Sequence, residues 1–330
     1  MSSLGRKPWP PEEIWARFSL PIPSSVQPIL SGQSRAWVFR VQTQSGDWAL
    51  KATCQSSQQF RSRYSQHDLF KKANLFDSGD LPKPPVISLV YYLGFLWELL
   101  PWIVGEHLTW NQMTDGHWTA ASESLERVHR SLASAGGQSV LPFARSRAFQ
   151  IRSQVLRNAK ADGSKGQPQW PLVFVVHPAW QNVLSCVKEA VDLAISDLNR
   201  REKEKVRLQP IHGDPHLGNW VWKGLKPNGL IDFLCPIDPA EADLARFGGS
   251  HDPDSLSNIT RVCREYKKSD GVGPDRKLAL ELGFSGLISR LFRWRHWLGE
   301  EPNPGEKTIG RVSGIVSQIP AAFAWRKQWG

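Results

Sequence analysis

Little in this chain points to an oxidising compartment or a membrane. Its four cysteines, Cys54, Cys186, Cys235 and Cys263, stand far apart with no Cys-x-x-Cys pair. They read as reduced, mostly packed thiols of a cytoplasmic protein. The opening "MSSLGRKPWPPEE" has no apolar core segment, so no signal peptide is expected. No uninterrupted apolar run is long enough to span a bilayer, and no membrane partner is expected. The Asn-Ile-Thr at Asn258 therefore carries no glycosylation argument. The net charge is +10, yet no basic arm or Lys/Arg block appears. That dispersal, with no nucleic-acid-binding signature, argues against a nucleic-acid partner. The richest charge run, "NRREKEKVR" (199–207), mixes signs and reads as a solvated helix end.

What is present is a globular composition, 40% apolar over 330 residues, enough for two lobes with ample core. Tryptophan is abundant at 16, and most of those rings are expected to fill cores. After an irregular leader (1–20), "SGQSRAWVFRVQTQSGDWALKAT" alternates through Val38, Phe39, Arg40 and Val41, turns, and extends again: a hairpin. Residues 60–76 have helical spacing, and "VISLVYYLGFLWELL" reads as two buried strands turning near Gly94. From about Pro101 helices dominate. One carries Trp118, Ala121, Leu125, Val128 and Leu132 on a single face; another begins at Pro178. Short strand-like pieces at "NWVWKG" and "GLIDFL" interrupt them, and Asp238-Pro239 suits the start of a helix over "AEADLARF". There is no internal repeat. The order predicts an α+β, two-lobed protein: a small β-rich N-terminal lobe over 1–98 and a larger, mainly helical lobe over 99–330.

Four elements then fall in a telling order: a turn containing Gly32 between strands, Lys51 on the strand "WALKA", "HGDPHLGN" with Asn219 five residues after Asp214, and "IDF" with Asp232. A transferred phosphoryl group carries dispersed negative charge, so its catalysis is mainly positioning and electrostatics. A strand-anchored lysine can hold phosphates, a carboxylate can orient an attacking hydroxyl, and an amide oxygen with a second carboxylate can hold Mg²⁺. The Asp214–Asn219 spacing equals that of the kinase catalytic loop, "WALK" is similar to the kinase lysine strand, and "IDF" takes the place of Asp-Phe-Gly. His212 and His216 read as residues that bond the loop backbone, and His129 as a packed helix histidine.

"HGDPHLGNW", "LIDF" and "DLAR" (243–246) together resemble the aminoglycoside phosphotransferase/choline kinase-like superfamily, and the resemblance covers most of the chain. It implies a bilobal protein-kinase-like fold and an ATP- and Mg²⁺-dependent transfer of phosphate to a hydroxyl of a small-molecule metabolite. It implies Asp214 as catalytic base, Asn219 and Asp232 as Mg²⁺ ligands, and Lys51 on the ATP phosphates. Ser31, Gly32, Gln33 and Ser34 would cover those phosphates, and the backbone of Glu98, Leu99 and Leu100 would meet adenine. His212 and Asp243 would support the catalytic loop. Two departures stand out. "SGQSRAW" lacks the three-glycine pattern of protein kinases, and residues 52–76 contain no glutamate to pair with Lys51. The alternative they motivate is a catalytically weak or inactive nucleotide-binding protein. No Ala-Pro-Glu follows "IDF", which argues against protein-kinase activity.

Late in the chain, "RLFRWRHWL" gathers Arg290, Arg293, Trp294 and Trp297. The simpler reading is a surface helix with aromatic anchors. The functional one is an acceptor site with stacking rings and anion-binding arginines, for a neutral or anionic, sugar-like alcohol. The basic balance argues against a polycationic aminoglycoside.

Overall fold

The computed structural model describes residues 9–29, 36–54, 63–66, 68–69, 72–73, 88–164, 178–249, 255–266, 273–300 and 306–327. The chain forms two compact units, residues 1–106 with 221–232 and residues 107–220 with 233–330. The first is an antiparallel sheet. Strands β1 (Ser25–Ile29), β2 (Trp37–Thr43), β3 (Gly46–Cys54), β4 (Ser88–Tyr92) and β5 (Phe95–Pro101) lie in the order β1-β2-β3-β5-β4. The expected lobe division at residues 98 and 99 falls inside β5.

Period-two patterning gives this sheet its face. Phe39 lies opposite Leu50, and Leu50 opposite Leu99, so one apolar row crosses β2, β3 and β5. Val41, Ala52 and Trp97 complete the core. The next row, Val38, Lys51 and Glu98, points to the other face. The β4–β5 turn has positive φ at both Leu93 and Gly94, the backbone that a two-residue hairpin requires. The leader is less irregular than its composition suggests. Helix α1 (Glu13–Arg17) buries Ile14 and Trp15 against the sheet core.

Residues 221–232 join this unit through backbone pairing. Glu106 and Trp222 exchange N–H···O bonds of 2.9 and 2.8 Å, and the Asn228 side chain donates to Val104 O at 2.7 Å. Gly105 makes the approach possible, because a Cβ there would stand 2.3 Å from Trp222 O. Strands β8 (Trp220–Lys223) and β9 (Lys226–Leu230) form the hairpin that leads to Asp232.

The second unit is mainly helical: α2 (Asp115–Gly136), α3 (Arg147–Ser164), α4 (Pro178–Arg201), α5 (Ala240–Gly248), α6 (Ser255–Glu265), α7 (Arg276–Glu300) and α8 (Glu306–Lys327). A small sheet, in the order β10-β7-β6, joins β6 (Ser139–Pro142), β7 (Lys205–Pro210) and β10 (Ile237–Asp238). On α2 the expected stripe of Trp118, Ala121, Leu125, Val128 and Leu132 is buried throughout. Helix α7 is core rather than surface as far as Leu291, with Leu287 and Ile288 also buried. Trp97, Trp220 and Trp222 are among the largest fully buried side chains. No described helix is long and apolar enough to cross a membrane.

Two local expectations meet a correction at one residue each. The run at 199–207 does close a helix and is mostly exposed, with α4 ending at Arg201 and β7 starting at Lys205, but one of its charges is not solvated. Arg201 is buried, donating to Glu281 at 2.7 Å, Asp275 at 2.8 Å and Glu204 at 2.9 Å. Asp238 does not cap its own helix. It sits in β10, and its carboxylate accepts the backbone N–H of Ala148 at 2.6 Å, satisfying one of the orphan amides that open α3. Burial pushes the Asp238 carboxyl up to about 6, against the pull of the Ala148 N–H and of Arg152.

Arg201→Ala is expected to destabilise the protein by roughly 3 kcal/mol, because it strips the buried Glu281 of a charge-assisted partner. Chemical denaturation checks this; a change within a few tenths of a kcal/mol contradicts the buried network.

Candidate active site

The loop between β7 and β8 is held by side chains rather than by a ladder. Gly213 has φ +91°, and a Cβ there would meet Pro236 Cδ at 2.5 Å, so both backbone and space call for glycine. On its two sides the loop amides find one acceptor. Asp243, on the first turn of α5, accepts the N–H of His212 and that of Gly213, each at 2.8 Å. The same carboxylate meets His129 Nε2 at 2.8 Å, and His129 Nδ1 meets the Tyr266 hydroxyl at 2.9 Å. Burial pushes the Tyr266 phenol up, so it stays protonated and can donate to His129. A buried relay thus runs Tyr266–His129–Asp243–loop.

His212 is fully buried, packs its ring 4.0 Å from that of Phe233, and accepts the Asp214 N–H on Nδ1 at 3.1 Å. His216 Nδ1 accepts the Gly218 N–H at 3.1 Å. Asn219 donates its Nδ2 to Asp214 O at 2.8 Å, which turns the amide oxygen away from that carbonyl. Trp220 Nε1 donates to Pro215 O at 3.0 Å. Asp214, Asn219, His212 and Asp243 therefore come together within one unit.

Asp214 itself faces a partner to which sequence reasoning gave no role. Arg246 Nε donates to Asp214 Oδ1 at 2.5 Å. Burial pushes the Asp214 carboxyl up, but Arg246, with His216 and His212, outweighs it and holds the group below the usual carboxylate range. The signal was available: Arg246 follows Asp243 by three residues, which puts both on one face of α5.

In the other unit, Lys51 donates to Asp232 Oδ1 at 2.6 Å, so the acidic partner of the lysine is Asp232. Asp232 sits just past β9 with φ +62°, a left-handed conformation that costs a non-glycine residue free energy. Glu98 lies directly opposite Lys51 across β3 and β5. It is buried, and Arg63, on the helical turn at 63–66, donates to it at 2.7 Å. Arg63 also donates to Gln66 at 3.0 Å. The helical segment thus supplies an arginine and the strand a glutamate.

Of the three residues expected at adenine, Glu98 and Leu99 are paired with β3 on one side and β4 on the other. Leu100 is paired with Ala49 on β3 and lies past the last β4 pair among the described residues. Ser31, Gly32, Gln33 and Ser34 lie outside the described residues. Arg290, half-buried on α7, donates to Gly249 O at 2.7 Å, and Arg293 is exposed. Trp294 and Trp297 lie on the same helix, with side chains outside the description.

Comparison with known proteins bears on this arrangement. The model of the phosphotransferase enzyme family (APH) matches residues 25–266, most of the chain. The chain belongs to the phosphotransferase enzyme family. Among solved structures, this family member is similar to a spectinomycin phosphotransferase bound to ADP and spectinomycin, with TM-score 0.63, 13% identity, and 92% and 94% of the two chains covered. A putative aminoglycoside phosphotransferase from Ralstonia eutropha gives 0.60 at 13% identity over 96% and 97%. A macrolide 2′-phosphotransferase from Brachybacterium faecium gives 0.56 at 14% over 92% and 97%. At such identities the likeness is one of fold, and it agrees with the α+β, kinase-like architecture expected from the sequence. A comparison with curated proteins finds no match.

In Arg246→Gln, burial is left with less to oppose it, and the Asp214 carboxyl is expected to titrate higher. ¹³C NMR of the Asp214 carboxyl against pH measures this. An unchanged titration contradicts the assigned ion pair.

Proposed function

We propose that this phosphotransferase-family protein moves the γ-phosphoryl group of ATP to a hydroxyl of a small-molecule acceptor. The observation that carries the reading is the Asp214 loop. Its carboxylate is ionised and half-exposed, on a backbone pinned by the buried Asp243 and by Asn219. In the reaction the acceptor oxygen bonds to phosphorus and the bond from phosphorus to the β,γ-bridging oxygen breaks. The hydroxyl proton leaves towards Asp214, and ADP departs.

The depressed pKa shapes the role of Asp214. A carboxylate held below its usual range is a weak base, so it acts first by accepting a hydrogen bond and aiming the hydroxyl. A loose phosphoryl-transfer transition state asks for positioning rather than early proton removal. Because Asp214 is already ionised, it imposes no loss of activity until pH falls through its lowered pKa. Lys51 meets the ATP phosphates, and its bond to Asp232 keeps the ammonium in place before nucleotide arrives. The adenine contact falls to the backbone from Leu100 onward, since Glu98 and Leu99 are flanked on both sides.

The residues fit Mg²⁺. Asn219 has its nitrogen engaged and an oxygen to offer, and Asp232 carries a carboxylate that already attracts a cation. Each side chain would offer the ion an oxygen, and an ion carried with the nucleotide would neutralise phosphate charge. Among the described residues no group of three or more His, Cys, Asp or Glu side chains forms a metal set. Mg²⁺ habitually completes its shell with phosphate oxygens and water.

A second reading, nucleotide binding without turnover, is favoured by one observation: both key carboxylates are engaged by cations, Asp214 by Arg246 and Asp232 by Lys51.

The test is transfer of labelled γ-phosphate from Mg·ATP to a pooled metabolite extract. The wild type is expected to label a small molecule, and Asp214→Asn to lose roughly 10²–10⁴-fold of the rate. Equal labelling by both proteins contradicts the role of Asp214. Nucleotide binding with no labelled product supports the second reading.

A further inference from the structure

Around Asp214 the helical unit gathers arginines well beyond what its carboxylates neutralise. Arg246 on α5 reaches Asp214. Arg290 on α7 donates one nitrogen to Gly249 O, while its Nη1 is out of solvent contact and has no partner among the described residues. Arg152, from α3, lies against the same helix one turn earlier: a Cβ at Gly286 would stand 3.3 Å from Arg152 Nη2 and 3.4 Å from Nε. The guanidinium thus packs close against the backbone of α7 at Gly286. Arg152 Nε is likewise buried and without a partner among the described residues. Arg293 adds a fourth, exposed guanidinium one turn beyond Arg290.

These groups act on one another. Burial pushes Arg290 down to about 9, and Arg246 and Arg152 push it further in that direction. Burial pushes Arg152 down to about 10, with Arg293 and Arg246 acting the same way. Both remain charged at neutral pH; burial is the main cause of the lowering, and the like charge of the neighbouring arginines adds to it. The carboxylates acting on them are Asp214 and Asp238. Asp214 is engaged by Arg246, and Asp238 spends a hydrogen bond on Ala148 and takes up a proton as pH falls towards about 6. Partly buried like charges with unused N–H donors are costly, and an incoming oxyanion satisfies the charge and the donors together. The fork of guanidinium donors suits a carboxylate, sulfate or phosphate.

We propose that Arg152, Arg246, Arg290 and Arg293 form an oxyanion subsite beside Asp214, so that the acceptor is an anionic alcohol carrying a carboxylate, sulfate or phosphate group. This rests on the reading of Asp214 as the residue that aims the acceptor hydroxyl. It makes a polycationic acceptor a poor substrate, because such a molecule meets like charge at the subsite.

The experiment titrates full-length protein with inorganic phosphate and with sulfate at constant ionic strength, reading tryptophan fluorescence and heat. Wild type, Arg290→Gln, Arg293→Gln, Lys51→Ala and the exposed charge control Lys203→Gln are compared, with folding checked by circular dichroism. Arg293 is exposed, so its variant keeps the test open if Arg290→Gln fails to fold. The expected result is anion binding weakened about tenfold or more in the arginine variants and retained in Lys51→Ala and Lys203→Gln. Absent binding in the wild type overturns the proposal, as does binding that survives both arginine substitutions. Binding lost only in Lys51→Ala places the anion at the nucleotide phosphates and also overturns it. A parallel transfer assay with anionic, neutral and cationic alcohols separates the two claims. Labelling of a neutral or cationic alcohol that is insensitive to Arg293→Gln sinks the subsite and spares the transferase. No transfer to any class, with arginine-dependent anion binding intact, sinks the transferase and spares the subsite.

Discussion

One buried carboxylate, Asp243, determines the shape of the loop that carries Asp214. Its oxygens accept two successive backbone N–H groups and a histidine nitrogen, all at 2.8 Å, in a place water does not reach. Each of those donors would carry a desolvation cost of about 1–3 kcal/mol if left alone. Gly213 takes the positive φ that turns its amide toward Asp243, and Tyr266 and His129 complete the ring of partners. Asp214 follows directly, so its direction is inherited from a backbone already fixed. Arg246, one turn along the same helix, then sets its charge. One short helix thus governs both the position and the ionisation of the Asp214 carboxylate.

The sheet unit solves a parallel electrostatic problem with different residues. A lysine between strands needs a carboxylate nearby, and here Asp232 at the end of the β8–β9 hairpin supplies it. Glu98, across from Lys51 in register, is taken by Arg63. The absence of a glutamate after β3 therefore does not leave Lys51 alone. The pairing is redistributed, with Glu98 moved onto a strand and its counter-charge onto the helical turn. The family match and the shared fold place this arrangement among phosphotransferases, and the arginines around Asp214 are the basis for the anionic acceptor proposed above.

Much of the architecture was legible because it is written in local periodicity. The alternation through Phe39 and Val41, and the stripe from Trp118 to Leu132, needed no distant partner to be read. The spacing of Asp214 and Asn219 was legible for the same reason, since five residues of one loop carry it. What escaped depends on pairs far apart in sequence. Arg201 looked like part of a solvated charge run until Glu281, 80 residues on, gave it a buried partner. Asp238 looked like a cap for the helix it precedes, but the open amide of Ala148, 90 residues earlier, claimed it. Arg152 gave no signal because what it lies against, Gly286, is on another helix far along the chain.

The central claim is that Asp243 acts through Asp214 on the chemical step. The most direct measurement is the basal hydrolysis of Mg·ATP by Asp243→Asn, with kcat and the KM for ATP determined separately. The account predicts that kcat falls as it does for Asp214→Asn while the KM for ATP is kept. A variant with unchanged kcat, or one whose only defect is a raised KM for ATP, would contradict it.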